Sequence, residues 1–104
     1  KANELPPDNP AYIDSLGWLH FKKGEFAKAL AEFQRAEKLI PEIQSEDAEI
    51  LEHIALAHKQ LGDATKALDY LERANALKTP FPKIRERIEK TLKQWKGISD
   101  TEKK

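Results

Sequence analysis

The chain repeats itself. Lys28-Ala29-Leu30 recurs as Lys66-Ala67-Leu68 and Arg35-Ala36 as Arg73-Ala74, while His20 aligns with His58, Gly24 with Gly62 and Leu39 with Leu77. The offset is 38 residues in every case. A shift held over so many positions marks a repeated supersecondary unit, each copy of which buries its apolar side against the next. No other feature restricts the fold as much, because the repeat dictates both the local structure and the way the copies stack.

The unit is a pair of helices. Ile13, Leu16, Gly17 and His20 fall at three- and four-residue spacing on one helical face, and Phe26, Leu30, Phe33, Ala36 and Ile40 do so on a second. Small residues at Gly17, Ala29 and Ala36 allow the two axes to approach, with Leu16 and Phe33 filling the groove between them. A mid-helix glycine costs about 1 kcal/mol against alanine, so close packing is the expected reason for Gly17. Asn9 is placed to cap the first helix with Pro10 at its first position, and Asp63 to cap the fourth. Gly24 and Gly62 fall where the first helix of each unit must stop and turn back. Thr79-Pro80 opens a fifth helix over about residues 82–96, closed by Gly97. Its stripe is expected to be Phe81, Ile84, Ile88, Leu92 and Trp95, with Lys83, Arg85, Glu86, Arg87, Glu89, Lys90 and Lys93 on the wet side. An element apolar inside and charged outside suits the end of a stacked array.

Taken in order, the first unit reads Ile13-x-x-Leu16-Gly17-x-x-His20, Gly24, Ala29-x-x-x-Phe33, Ala36 and Pro41. The second reads Leu51, Ile54-Ala55, His58, Gly62, Ala67, Leu71 and Ala74, with Pro80 one residue out of register with Pro41. This pattern resembles the tetratricopeptide repeat over about residues 9–96. Histidine stands in both units where the family usually has tyrosine, and the offset exceeds the family's period of about 34 residues. The surplus falls in Glu42 to Asp47, which either lengthens the second helix by about one turn or loops out. The resemblance implies an all-α fold, an α-solenoid of antiparallel helix pairs with five helices. Its expected division is a linker at 1–9, repeats at 10–41 and 48–79, an extended connection at 42–47, a capping helix at 80–96 and a disordered tail at 97–104. The stretch from Asp8 to Trp18 looks like the late repeats of long bacterial multi-repeat proteins. With no methionine at all, the chain is expected to be the C-terminal piece of such a protein.

For function, the bulk properties exclude more than they indicate. Eighteen basic residues balance eighteen acidic ones, so no net field draws a polyanion, and nucleic-acid binding is not expected. The absence of cysteine removes disulfides, thiolate nucleophiles and cysteine-ligated zinc. No apolar run reaches the roughly 18 residues of a membrane span, so insertion is not expected either. His53 and His58 are five apart, a poor spacing for one helical face, and no nucleophile–base pairing or phosphate loop stands out. Neither a metal, a cofactor nor an enzymatic activity is expected. The basic residues of the fifth helix are interleaved with Glu86 and Glu89, which suggests a solvated, self-paired face.

The family resemblance implies a concave surface lined by the first helix of each pair. Its expected partner-binding residues are Asp14, Trp18, Phe21 and Lys22 from one repeat and Glu49, Glu52, Leu56 and Lys59 from the other. Trp18 and Phe21 suit the anchoring of peptide side chains, unless they pack on a neighbouring helix instead. Some family members clamp a chaperone's C-terminal carboxylate with lysines and asparagines. Here the matching lysine slots hold Asp14 and Glu52, the asparagine slots Trp18 and Leu56, and the remaining polar slots Ser15 and His53. Acids there would repel a carboxylate tail and prefer apolar or basic segments. The expected function is a non-enzymatic protein-interaction or scaffold module. The rivals are a purely structural cap of a longer solenoid and self-association through the N-terminal end, where Tyr12 and Leu19 lack a neighbour.

Overall fold

The computed structural model describes residues 9–97, so the linker expected at 1–9 and the tail expected at 97–104 lie outside them except for Asn9 and Gly97. Within that range the architecture is all-helical: α1 (Pro10–Lys22), α2 (Phe26–Lys38), α3 (Ala48–Gln60), α4 (Ala64–Ala76) and α5 (Pro82–Lys96), with a single 3-10 turn at Ser45–Asp47. Consecutive helices pack on one another, α1 on α2, α2 on α3, α3 on α4 and α4 on α5. That serial arrangement is an α-solenoid.

The helix ends follow from named residues. The Asn9 side chain accepts the Tyr12 N–H at 3.0 Å, and that of Asp63 accepts the Lys66 N–H at 3.1 Å. Both first helices end in the same motif. Gly24 and Gly62 adopt φ of 84° and 90°, which L side chains avoid. In α1 the Gly24 N–H then reaches the Phe21 carbonyl at 3.0 Å and the Glu25 N–H the His20 carbonyl at 2.9 Å. In α3 the Gly62 N–H reaches Lys59 at 3.1 Å and the Asp63 N–H reaches His58 at 2.9 Å. These two bonds satisfy carbonyls that the helix terminus would otherwise orphan.

Helices α2 and α4 both span 13 residues, so the surplus between repeats lies in the connection and not in a longer helix. There the Asp47 side chain accepts the Gln44 N–H at 2.8 Å and starts the turn that leads into α3. One expectation for α5 fails. Phe81 is 45% exposed, because it is the N-cap residue in extended conformation and Pro82 takes the first helical position. The apolar face of α5 consists of Ile84, Ile88, Leu92 and Trp95, of which Ile88 and Leu92 are buried.

The core runs along the axis of the stack. Phe33 is wholly buried, and a Cβ on Gly17 would lie 2.6 Å from two of its ring carbons. The close packing expected from the sequence is therefore a steric requirement. Helix α3 lies at the centre: Ile50, Leu51, Glu52, His53, Ile54, Ala55, Ala57 and His58 are all buried. His58 stacks on Tyr70 at 5.7 Å, and burial pushes its pKa below the usual value against the opposing pull of Asp63.

Candidate functional site

A groove of about 540 Å³ opens beside the central helix. Helix α1 contributes Asp14, Ser15, Trp18 and Leu19 to its lining, and α3 contributes Glu49, Glu52, His53 and Leu56. Helix α5 adds Arg87. The 3.6-residue period brings this about, since positions 14, 18 and 52, 56 recur at four-residue spacing on the first helix of each repeat.

The floor is a fixed polar network. Glu52 is 1% exposed, and Arg87 holds both of its oxygens, Nε to Oε2 at 2.6 Å and Nη2 to Oε1 at 2.7 Å. Nη2 also donates to Glu49 Oε2 at 3.0 Å. The hydrogen bonds with Glu52 raise the guanidinium's pKa further above its usual value, against burial, with the charges of Glu52 and Glu49 helping. Next to this pair, His53 Nδ1 lies 2.8 Å from Asp14 Oδ1, and its Nε2 lies 3.7 Å from Glu49 Oε2. Glu49, Glu52 and His53 bring ligating atoms within 4.8 Å of one another. Arg87 already holds both Glu52 oxygens and one of Glu49, and Asp14 lies on His53 Nδ1, so these contacts draw the three side chains together.

The apolar wall is fixed as well. Trp18 is half-buried, with His53 stacked on it at 4.5 Å and Phe21 at 4.9 Å. Phe33 lies against His53 at 5.1 Å, and Phe26 meets the Phe21 ring edge-on at 5.0 Å. The two rings stacked on Trp18 hold the indole in place beside the groove.

The residues expected to bind a partner therefore divide. Asp14, Trp18, Glu49, Glu52 and Leu56 come together in the groove. Phe21 backs Trp18, and Lys59 turns to α5, its Nζ 5.3 Å from the centre of the Trp95 ring. Lys22 is exposed at the last position of α1, outside the lining. Glu52 is closed off by its ion pair, so it presents no free acid to a partner. Sequence reasoning placed Arg87 on a self-paired outer face, whereas its partners stand on α3. The available signal was Glu52 itself. An acid set among Leu51, Ile54 and Ala55 on a helix with neighbours on several sides needs a cation from elsewhere in the chain.

Comparison with known proteins bears on the helix-pair fold. Two tetratricopeptide repeat family models match the chain, one at residues 10–43 and one at 48–79. The chain belongs to the tetratricopeptide repeat family. A TPR repeat-containing protein of Pseudomonas aeruginosa is 36% identical over 54 residues, which is 52% of this chain and 8% of that protein. The chain thus spans a small part of its bacterial relative. No solved structure matches. As a tetratricopeptide repeat protein, the chain is a protein-interaction or scaffold module by family. No helix among the described residues is long and apolar enough to cross a membrane.

Proposed function

We propose that the chain works without chemistry of its own, capturing a peptide or a segment of a partner protein in the groove between α1 and α3, with α5 as the cap that closes the stack. The groove supports this reading because it joins an apolar wall to a polar floor whose side chains are already held in place. Little conformational freedom is left to lose on binding, which favours affinity. Asp14, Trp18, Glu49 and Leu56 are the contact residues, Glu52 and Phe21 hold them from behind, and Lys22 and Lys59 lie at the margin. No nucleic acid, metal or cofactor enters this reading.

The test is site-directed. A photo-crosslinking residue at Ser15, which is exposed and lines the groove, should capture the partner. Leu56→Glu should reduce capture by about tenfold or more while helicity is retained, an effect of the size expected for a central contact. Equal capture by both variants, or capture only from Thr65 at the start of α4, would move the site off the groove.

A second reading has its own observation. Leu19 is 58% and Tyr12 39% exposed on α1, so the outward side of that helix suits contact with another helical unit, either a further repeat or a second copy. Light scattering over a concentration series separates the two. A mass that stays monomeric at every concentration removes self-association.

A further inference from the structure

The charges of the groove do not balance. Three carboxylates, those of Asp14, Glu49 and Glu52, face one guanidinium, that of Arg87, and the remaining titratable group is His53. Arg87 spends two donors on Glu52, which is 1% exposed and sealed beneath it. Glu49, whose side chain is 42% exposed, receives only a bond from the already shared Nη2 and faces His53 Nε2 at 3.7 Å. Asp14 has the other ring nitrogen. Three carboxylates against one guanidinium and one imidazole leave at least one negative charge uncompensated beside the apolar surface of Leu19, Leu56 and Trp18.

We infer that the groove reads a cation next to an apolar side chain: a lysine or arginine of the partner pairs with Glu49 and Asp14 while a neighbouring aliphatic residue lies against Leu56 and Leu19. This rests on the groove being the binding surface and adds which segment it accepts. The stem of a lysine or arginine is itself apolar, so it can follow the wall while its charged end reaches the carboxylates. Arg87 limits the site to one such cation, because it has already closed Glu52. A partner carboxylate is disfavoured here, since Nε and Nη2 of the guanidinium are held by Glu52 and Glu49 and the surrounding charge is negative.

Two isosteric probes decide the matter, N-acetyl-leucyl-arginine amide and N-acetyl-leucyl-citrulline amide, titrated to millimolar concentration into the isotope-labelled chain and followed by NMR. The arginine probe should shift the signals of Trp18, His53 and Leu56 and bind about fivefold tighter than the uncharged probe at low salt, the ratio a partly exposed ion pair gives. At 0.5 M salt the ratio should shrink toward one, because screening acts on the pair and not on the leucine contact. Glu49→Gln, on a side chain 42% exposed, should bring the ratio down toward one. Equal affinities of the two probes at low salt overturn the inference and leave the groove standing. If neither probe shifts Trp18, His53 or Leu56, the groove itself is lost and the inference with it.

Discussion

The two repeats carry equivalent residues in unequal surroundings. In α1, Tyr12 and Leu19 are 39% and 58% exposed; their counterparts in α3, Ile50 and Ala57, are 8% and 0% exposed. Among the described residues α1 packs against α2 and α3 alone, whereas α3 has α1, α2, α4 and α5 around it. The acids at one shared position show what this means. Asp14 is met by His53 on α3, and its equivalent Glu52 by Arg87 on α5. In each repeat the acid of the first helix takes its counter-charge from a later helix on the same side of the stack, with α5 standing where a further first helix would be. The acid on the more enclosed helix has the permanently charged partner. Depth in the stack therefore sets how much each equivalent residue contributes.

The largest test of this contrast removes Arg87. Arg87→Ala removes the guanidinium that both pairs with Glu52 and covers it. Because the arginine side chain is half exposed and water can take its place, the cost should be about 2–3 kcal/mol. That is a large part of the stability of any small domain. Asp14→Ala, at the equivalent pair, should cost about 1–2 kcal/mol, since it removes one hydrogen bond and leaves no buried carboxylate behind. Urea denaturation of the two variants measures the difference. Replacing both members of the deep pair, as in Glu52→Leu with Arg87→Met, should restore most of the loss. Equal small losses for Arg87→Ala and Asp14→Ala would refute the dependence on depth.

A second contrast is steric. Repeat one pairs Gly17 with Phe33, and repeat two pairs Ala55 with Leu71 at the same positions. Gly17→Ala brings a Cβ to 2.6 Å from the Phe33 ring and should destabilise by about 1–3 kcal/mol despite alanine's better helix propensity. Gly17→Ala with Phe33→Leu reproduces the pairing of repeat two and should recover most of that loss. The double-mutant cycle should therefore show a coupling of about 1 kcal/mol or more. Thermal or urea melts of the four proteins supply the cycle, and strict additivity would mean that the two pairs are not interchangeable solutions to one packing problem.

Such pairings were legible in the sequence because the repeat prints them twice. Gly24 and Gly62, Ala29 and Ala67, Ala36 and Ala74 recur at one offset, and a residue that recurs at a turn or an axis contact reveals its role without coordinates. The groove was legible where register alone decides it, at Asp14, Trp18, Glu49 and Leu56. It was not legible where a partner comes from a distant helix. The bond between Arg87 and Glu52 spans 35 residues, and Lys59 is drawn aside by Trp95, contacts that no local pattern encodes. The surplus residues between repeats were ambiguous for another reason: Glu42 to Asp47 lack both a helical stripe and a glycine stop.

The equivalent histidines give a smaller effect of opposite origin in each repeat. Burial lowers the pKa of His58, so the unfolded chain binds the proton more readily than the folded one. Stability should then fall as pH drops through about 6.5 and level off below the folded-state value. His58→Gln should flatten that part of the pH–stability curve. In repeat one, His20 Nδ1 lies 2.7 Å from Glu25 Oε1, and this hydrogen bond is the main reason the Glu25 pKa is lowered. His20→Gln should move the Glu25 titration, followed by NMR of its side-chain carboxyl, back toward the usual value. A pH–stability curve unchanged by His58→Gln would show that burial of this ring has no consequence for folding.

The smallest expected effect bears on the open side of α1. Leu19 is more than half exposed, so Leu19→Ala should change the stability of the isolated chain by no more than about 0.5 kcal/mol. Placing the same leucine in repeat two, as Ala57→Leu, should overpack a buried site and cost about 1–3 kcal/mol. The leucine is chemically identical at both positions, so the difference measures what the surrounding helices add. The comparison gains force if the chain concentration is varied. A Leu19→Ala effect that stays small throughout means that the side of α1 is bare in solution. An effect that grows with concentration means that another copy covers it, since association stabilises the folded chain by mass action. In that case α1 would acquire the enclosed character of α3, and the contrast between the repeats would belong to the monomer alone.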